Sequence, residues 1–521
     1  MPGSWRDIKA RKILQGLRGK ELRELAAHHE QTTCYGSAAY VTKVRNRSAK
    51  NTYIVAETGC KLGVRQQSIA PGHADKIMAE VQKYLVTKEL IQVDRQLGQH
   101  HACRYHCRLY VTSEYARIAY MWYYTLFPVT EEKEPDFVSV YVPEWPERII
   151  LVYPESGITY ILGTDYFGEA KKSFLRQAMY RFKRDQGGLG FHAGSKILRV
   201  KDETGELQDI GFIMFGLSGT GKTTLTIHDH GLSGVEKSII RQDDVVLMNR
   251  EGYCYGTENG FFIKTEGLDA GQAVLYQAAT GPEAILENVW IQENGKPDFA
   301  NTELTGNGRG VIPRSEVKGT DKLIDLPKAN RIIFITRRND IVPPVAKLTP
   351  IQAAAFFMLG ESIETSAGDP SKAGQSKREV GTNPFIIGSE AEEGNRLYAI
   401  LAANPDQECY IVNTGSVGAK GDNPGEKITI AVTTNIMKAL ACGGIQWEKD
   451  PDWGYEVAVS VPGVDMAKYD PRQYYTDAEY RDLVDRLRQE RRQWLQQFPG
   501  LVPEIMQALA GSQLELKKAE G

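Results

Sequence analysis

The order of apolar and polar positions divides this chain of 521 residues into segments of three kinds. Short runs rich in β-branched residues and closed by turn signals predict strands. These are "NTYIVAE" (51–57) and "ERIILVYP" (147–154), then "DIGFIMF" (209–215), "RIIFIT" (331–336), "CYIVNTG" (409–415) and "KITIAVTT" (427–434). "NIMKALACGG" (435–444) predicts a helix stopped by glycine. The first thirty residues and the stretch from Asp477 onward are charged and amphipathic, and both predict helix. The polar stretch "SAGDPSKAGQSKREVGTNP" (366–384), rich in Gly, Ser and Lys, predicts a mobile loop. No internal repeat and no low-complexity tract interrupts the order.

Composition narrows the class. With 41% hydrophobic and 25% charged residues the chain has globular balance and enough length for two domains, expected at 1–195 and 196–521. A net charge of −3 argues against a general nucleic-acid binder. The apolar runs "IAYMWYYTLFPV" and "IQAAAFFML" fall short of the roughly 18 to 20 residues that span a bilayer. The N-terminus carries no apolar signal core. Seven scattered cysteines suit free thiols. A cytoplasmic protein without a membrane partner is expected.

The chemistry is densest after the strand 209–215. Gly216, Leu217, Ser218, Gly219, Thr220, Gly221, Lys222 and Thr223 form G-x-x-x-x-G-K-T, with Thr224 behind them. Glycines let the backbone approach a phosphate, and the amides and the following helix N-terminus favour an anion. Lys222 would neutralise the outer phosphates of a triphosphate and Thr223 would reach its Mg²⁺. An ordinary glycine-rich turn rarely carries the whole pattern. Downstream, Asp243 and Asp244 lie in "SIIRQDDVVLM". Alone, such a pair is more often a turn or solvated edge than a metal site. "GQHHACRYHCRLYV" gathers three histidines and two cysteines from His100 to Cys107, but without paired ligand spacing. A strand with Cys103, Tyr105 and Cys107 on one face is the simpler reading.

Several blocks in order then carry a resemblance. "FGLSGTGKTTL" with the paired aspartate, "GTDYFGEAKKSF" (163–174), "GLGFHAGS" (188–195), "NRSAKNTYIV" (46–55), "ENGFFIKT", "ILENVWI", "VPPVAKLTPIQ", "YIVNTG" and "PGVDMAKYDPRQYY" are similar to the ATP-dependent phosphoenolpyruvate carboxykinases over roughly residues 40 to 475. The resemblance implies an α/β fold in two lobes: an N-terminal α/β lobe, and a C-terminal P-loop-containing mixed-sheet lobe that binds the nucleotide. It also implies the reversible conversion of oxaloacetate and ATP to phosphoenolpyruvate, carbon dioxide and ADP. It assigns Lys172, His192 and Asp244 to a transition metal, usually Mn²⁺, with Thr223 on Mg²⁺. Arg47 would take the substrate carboxylate, and Tyr166 the substrate or carbon dioxide. Lys264 and Arg309 would serve the transferring phosphoryl group, Lys171 would be a catalytic member of the Lys-Lys pair, and Lys427 and Thr433 would lie near the adenine. A lid is expected over the reacting enolate, with residues 366–382 a candidate by composition.

The chain departs from the family pattern in places. Lys427 stands where an arginine is usual, and "NRSAKN" replaces "GRSPKD". The segment between the glycine-rich loop and the paired aspartate is long. Two alternatives therefore stand: a phosphotransferase with another small-acid or protein acceptor or another phosphoryl donor, and a non-catalytic nucleotide-binding protein.

Overall fold

A computed structural model describes residues 6–217, 219–363 and 375–509. The fold is mixed α/β, and its contacts divide it into two compact units. The first comprises residues 1–186, 255–324 and 385–388; the second comprises 187–254, 325–384 and 389–521.

The first unit holds two large sheets and a two-stranded pair, Trp290–Ile291 with Pro297–Asp298. An eight-stranded sheet runs in the order Lys12–Leu14, Glu89–Leu97, Tyr105–Thr112, Phe137–Val142, Ile158–Leu162, Ile149–Tyr153, Thr52–Val55, Ser68–Ile69. Its centre is apolar on both faces, as in Phe137–Val142, where every residue is buried. The 20-residue helix Phe167–Gln186 belongs to the same unit and is buried along most of its length. A five-stranded sheet sets Gly260–Lys264 beside Arg309–Pro313, Ile285–Glu287, Ala38–Tyr40 and Gln31–Thr32.

The second unit is built on a ten-stranded sheet. At its centre Leu207–Gly216, Arg331–Thr336 and Glu408–Asn413 are parallel neighbours. Their carboxyl ends therefore lie together, where ligands of such sheets bind. The 13-residue strand Leu189–Lys201 runs antiparallel to Leu207–Gly216, with Ala193 opposite Phe215. Its other edge takes two partners in turn, Lys237–Gln242 and Val245–Met248. The break between them is Asp243–Asp244, held by the Ala193 amide donating to the Asp244 carbonyl at 2.9 Å. Phe212, Met214, Ile333, Val412, Ile436 and Met437 share one core there.

Three sequence expectations change. Residues 427–434, read as a strand, are helix from Ile430, continuous to Cys442. The Thr429 hydroxyl caps this helix by accepting from the Val432 amide. Thr433, Ile436, Met437 and Leu440 then bury one face, so i, i+3, i+4, i+7 packing overrides β-branched propensity. The helix does end at glycine, Gly443 with φ +91°. Within the first thirty residues the described part is a strand, Lys12–Leu14, an eight-residue helix, Gly19–Ala26, and a 3-10 turn, Ala27–His29. The strand pairs with Glu89–Ile91, which takes those residues out of any helix. Of the expected loop, 366–374 lie outside the described residues, while Ser376–Arg378 pair with Glu361–Ile363.

The His100–Cys107 block is a turn leading into the strand Tyr105–Thr112. His106 lies within hydrogen-bond reach of Asp94 and of the Lys133 carbonyl, each at 2.8 Å.

Candidate active site

In the first unit the arginine segment is fixed before any ligand is considered. The amides of Lys43 and Val44 donate to the Asp165 carboxylate at 2.9 and 2.8 Å, and Arg117 holds that carboxylate at 2.9 Å. The Ser48 amide donates to Glu169 at 2.5 Å. Arg47, carried between these anchors, places its guanidinium 4.3 Å from the centre of the Phe385 ring. Its buried Nε has no hydrogen-bond partner among the described residues.

The long helix supplies the next groups. Gly168 in its first turn is obligatory: a Cβ there would come within 2.4 Å of the Tyr166 ring. Tyr166 is buried, with its hydroxyl 3.5 Å from Asn307 Nδ2. Consecutive helical residues point about 100° apart, and Lys171 and Lys172 accordingly separate. Lys171 forms a buried salt bridge with Glu258 at 2.8 Å. Lys172 lies over the Phe385 ring at 4.7 Å.

Lys264 and Arg309 are directly opposite on paired strands. Lys264 bonds Glu266. Arg309 donates to Asn307 Oδ1 at 2.7 Å and lies 5.5 Å from the Phe262 ring. Beside Arg309 is Glu287, fully buried. Burial pushes its carboxyl up to about 7, with Arg117 opposing.

The second unit gathers the glycine-rich loop, the histidine and the paired aspartate. Gly216 ends its strand and Leu217 is buried behind it. Ser218 lies outside the described residues. Gly219 and Gly221 take φ of +84° and +94°, which glycine alone adopts without strain. The Thr220 carbonyl accepts from the Thr414 hydroxyl at 2.7 Å, tying the loop to the end of Glu408–Asn413. Lys222 opens the six-residue helix Lys222–Ile227 and donates to the Asp243 carbonyl at 2.9 Å. The Thr223 hydroxyl donates to Asp243 Oδ2 at 3.3 Å. Thr224 spends its carbonyl on the His228 amide.

His192 Nδ1 lies 2.8 Å from the Thr382 carbonyl, so the proton of the neutral ring belongs on Nδ1. Nε2 then presents a lone pair, 3.2 Å from Asp244 Oδ1. Two acceptors at that separation suit a cation shared between them. An imidazole beside a carboxylate is a donor pair for a divalent transition ion.

Thr433 is buried, and its hydroxyl donates to the Ile430 carbonyl at 3.0 Å. Lys427 is exposed on a short strand paired with Ser416–Val417.

The structure adds four residues that pattern alone left unassigned. Asp243 was visible only as one of a pair, and its link to Thr223 needed the fold. Asn307 and Phe385 carry no motif signal. Arg176 follows Lys172 by four residues, so helical spacing could have brought it forward.

The family profile described as Phosphoenolpyruvate carboxykinase matches residues 11–467. A protein of Aeropyrum pernix named Phosphoenolpyruvate carboxykinase (ATP) is 34% identical over 430 residues, covering 82% of this chain and 85% of its own length. One of Parvibaculum lavamentivorans with the same name is 29% identical over 457 residues, covering 83% and 81%. One of Sinorhizobium fredii, again so named, is 30% identical over 356 residues, covering 65% and 62%. This chain belongs to the family of ATP-dependent phosphoenolpyruvate carboxykinases.

Proposed function

We propose that the chain is an ATP-dependent phosphoenolpyruvate carboxykinase in which Arg47 takes a carboxylate of oxaloacetate and Gly216–Thr224 take the phosphates of ATP. The family supports decarboxylation with phosphoryl transfer from ATP, and a different acceptor or donor is not favoured. The observation that carries the residue assignment is the pair of guanidiniums, Arg47 and Arg176, gathered on Phe385 in the first unit. The two like charges repel each other, and an anion between them would relieve that repulsion.

Tyr166, backed by Gly168 and Asn307, borders the substrate. Lys222, Lys264 and Arg309 hold the transferring phosphoryl group, which asks for positioning and positive charge rather than covalent help. Lys171, already neutralised by Glu258, positions more than it attracts. Lys172, His192 and Asp244 would hold Mn²⁺, and Thr223 with Asp243 would hold the Mg²⁺ of the nucleotide. A metal there supplies charge stabilisation for the enolate oxygen. Lys172 could serve only as its neutral amine, which a cation favours. Lys427 and Thr433 are assigned to the adenine end. Lys427 lacks the planar face of arginine, and weaker stacking follows.

We place the active form in two lobes in the cytoplasm, with the free thiols of a reducing compartment. Among the described residues no helix is long and apolar enough to cross a membrane.

The test follows phosphoenolpyruvate from oxaloacetate, ATP, Mg²⁺ and Mn²⁺. Arg47→Ala should raise the oxaloacetate KM, and His192→Ala should abolish turnover together with Mn²⁺ binding read by electron paramagnetic resonance. Wild-type protein that binds ATP yet forms no phosphoenolpyruvate would reject the reading.

A further inference from the structure

Arg176 lies one helical turn beyond Lys172, on the same face of the helix Phe167–Gln186. It is only 6% exposed. Its guanidinium sits 5.6 Å from the centre of the Phe385 ring, the ring that also faces Arg47 at 4.3 Å and Lys172 at 4.7 Å. Among the described residues Arg176 makes no hydrogen bond and no salt bridge. Burial lowers its pKa to about 10, Glu169 opposes and Arg47 adds to the effect, so the group remains charged at neutral pH.

A buried guanidinium normally spends its five donors on carbonyls or carboxylates. A ring face offsets only part of a cation's desolvation. Nearby, Glu169 spends an oxygen on the Ser48 amide. The Arg176 guanidinium therefore stands ready for a ligand anion, and a planar fork is matched to a carboxylate.

We infer that Arg176 is a further substrate-binding residue, which takes a carboxylate of the small dicarboxylic acid together with Arg47. The inference rests on the proposed reading of Arg47. It also explains how a chain with the variant segment "NRSAKN" keeps a grip on a dianion: part of the recognition sits on the helix instead of the arginine loop.

The experiment compares wild type, Arg176→Gln, Arg176→Lys and Arg47→Ala in two measurements. The first is steady-state kinetics with oxaloacetate and ATP varied separately. Arg176→Gln should raise the oxaloacetate KM by about 10- to 100-fold, the range for a lost hydrogen bond to a charged group. The ATP KM should stay within about twofold. Arg176→Lys, which keeps the charge without the fork, should fall between the two. The second is the melting shift produced by oxalate, a dicarboxylate that does not react. The shift should be large in wild type and small in Arg176→Gln, while the unliganded variant melts no lower than wild type.

A KM for oxaloacetate unchanged in Arg176→Lys and Arg176→Gln would overturn the inference. So would a lower unliganded melting point with an undiminished oxalate shift, because that is the pattern of a structural arginine. If Arg176→Gln does not fold, Arg176→Lys alone decides by the same readouts. Wild type that forms no phosphoenolpyruvate would fail the proposed function, whereas the oxalate shift would still judge Arg176.

Discussion

At Glu287 one carboxyl oxygen accepts from the Phe167 amide at 2.9 Å and lies 3.4 Å from Arg117, while Oε2 has no hydrogen-bond partner among the described residues. Burial favours the neutral acid, Arg117 the anion, and burial prevails, leaving the group at about 7 against an ordinary 4.5. A carboxyl raised on folding contributes stability that is fully present below pH 4.5 and is lost as pH rises through 7. The difference in unfolding free energy between wild type and Glu287→Gln should therefore decline by up to about 3 kcal/mol across that window and level off above it. Urea midpoints measured from pH 4 to 8 would show it; parallel curves would reject the assignment. The same window is one in which the charge beside Arg309 changes, since the two residues are cross-strand neighbours.

At the scale of elements, the helix after the glycine-rich loop is only six residues long. So short a helix does not hold itself together in water. Its C-terminal end is instead closed by Lys196, fully buried on the neighbouring strand. The ammonium donates to the carbonyls of Leu225, Thr226 and His228 at 2.8, 3.1 and 2.7 Å, and lies 2.7 Å from His230 Nε2. Burial lowers its pKa well below the usual lysine value, so its carbonyl partners must hold whatever charge remains. Lys196→Met should destabilise the protein by roughly 3 kcal/mol, because several buried carbonyls lose their donor at once. Nucleotide affinity should fall as well, since Lys222 and Thr223 open the helix that is loosened. Thermal unfolding and an ATP titration check both parts; loss of stability without loss of ATP affinity would separate the helix end from the loop.

Over the whole chain, contacts far apart in sequence close the second unit. The helix Asp477–Leu495 has a capping box at Thr476 and Glu479. It reaches back through Arg491 to Glu361, 130 residues earlier, and both side chains are almost fully buried. Burial alone would raise the Glu361 carboxyl, but Arg491, Arg378 and Arg338 outweigh it and bring it to about 2. That stability is present above pH 4.5 and is lost as pH falls toward 2. Arg491→Met would leave a buried carboxylate with weakened compensation and should cost about 3–5 kcal/mol. Calorimetry at pH 7 should record the drop, and the gap to wild type should narrow as pH falls toward 2. A gap that persists there would mean the helix is held by its apolar face instead.

What the sequence by itself determined is local. The run "DIGFIMF" closing on G-x-x-x-x-G-K-T specifies a strand and a loop, because glycine conformations and amide positions depend on adjacent residues alone. The Lys171–Lys172 spacing is equally local, since a helix turns consecutive side chains apart whatever surrounds it. Only the tertiary structure decided which lysine meets Glu258 and which meets Phe385, for those partners lie 87 and 213 residues away. It also decided that "KITIAVTT" is mostly helix, because a buried face and the Thr429 cap outweigh β-branched propensity. And it set Asp243 beside Thr223 and His192 beside Asp244. Those pairings arise where one long strand exchanges partners, and sheet register across such distances leaves no mark in a run of neighbouring residues.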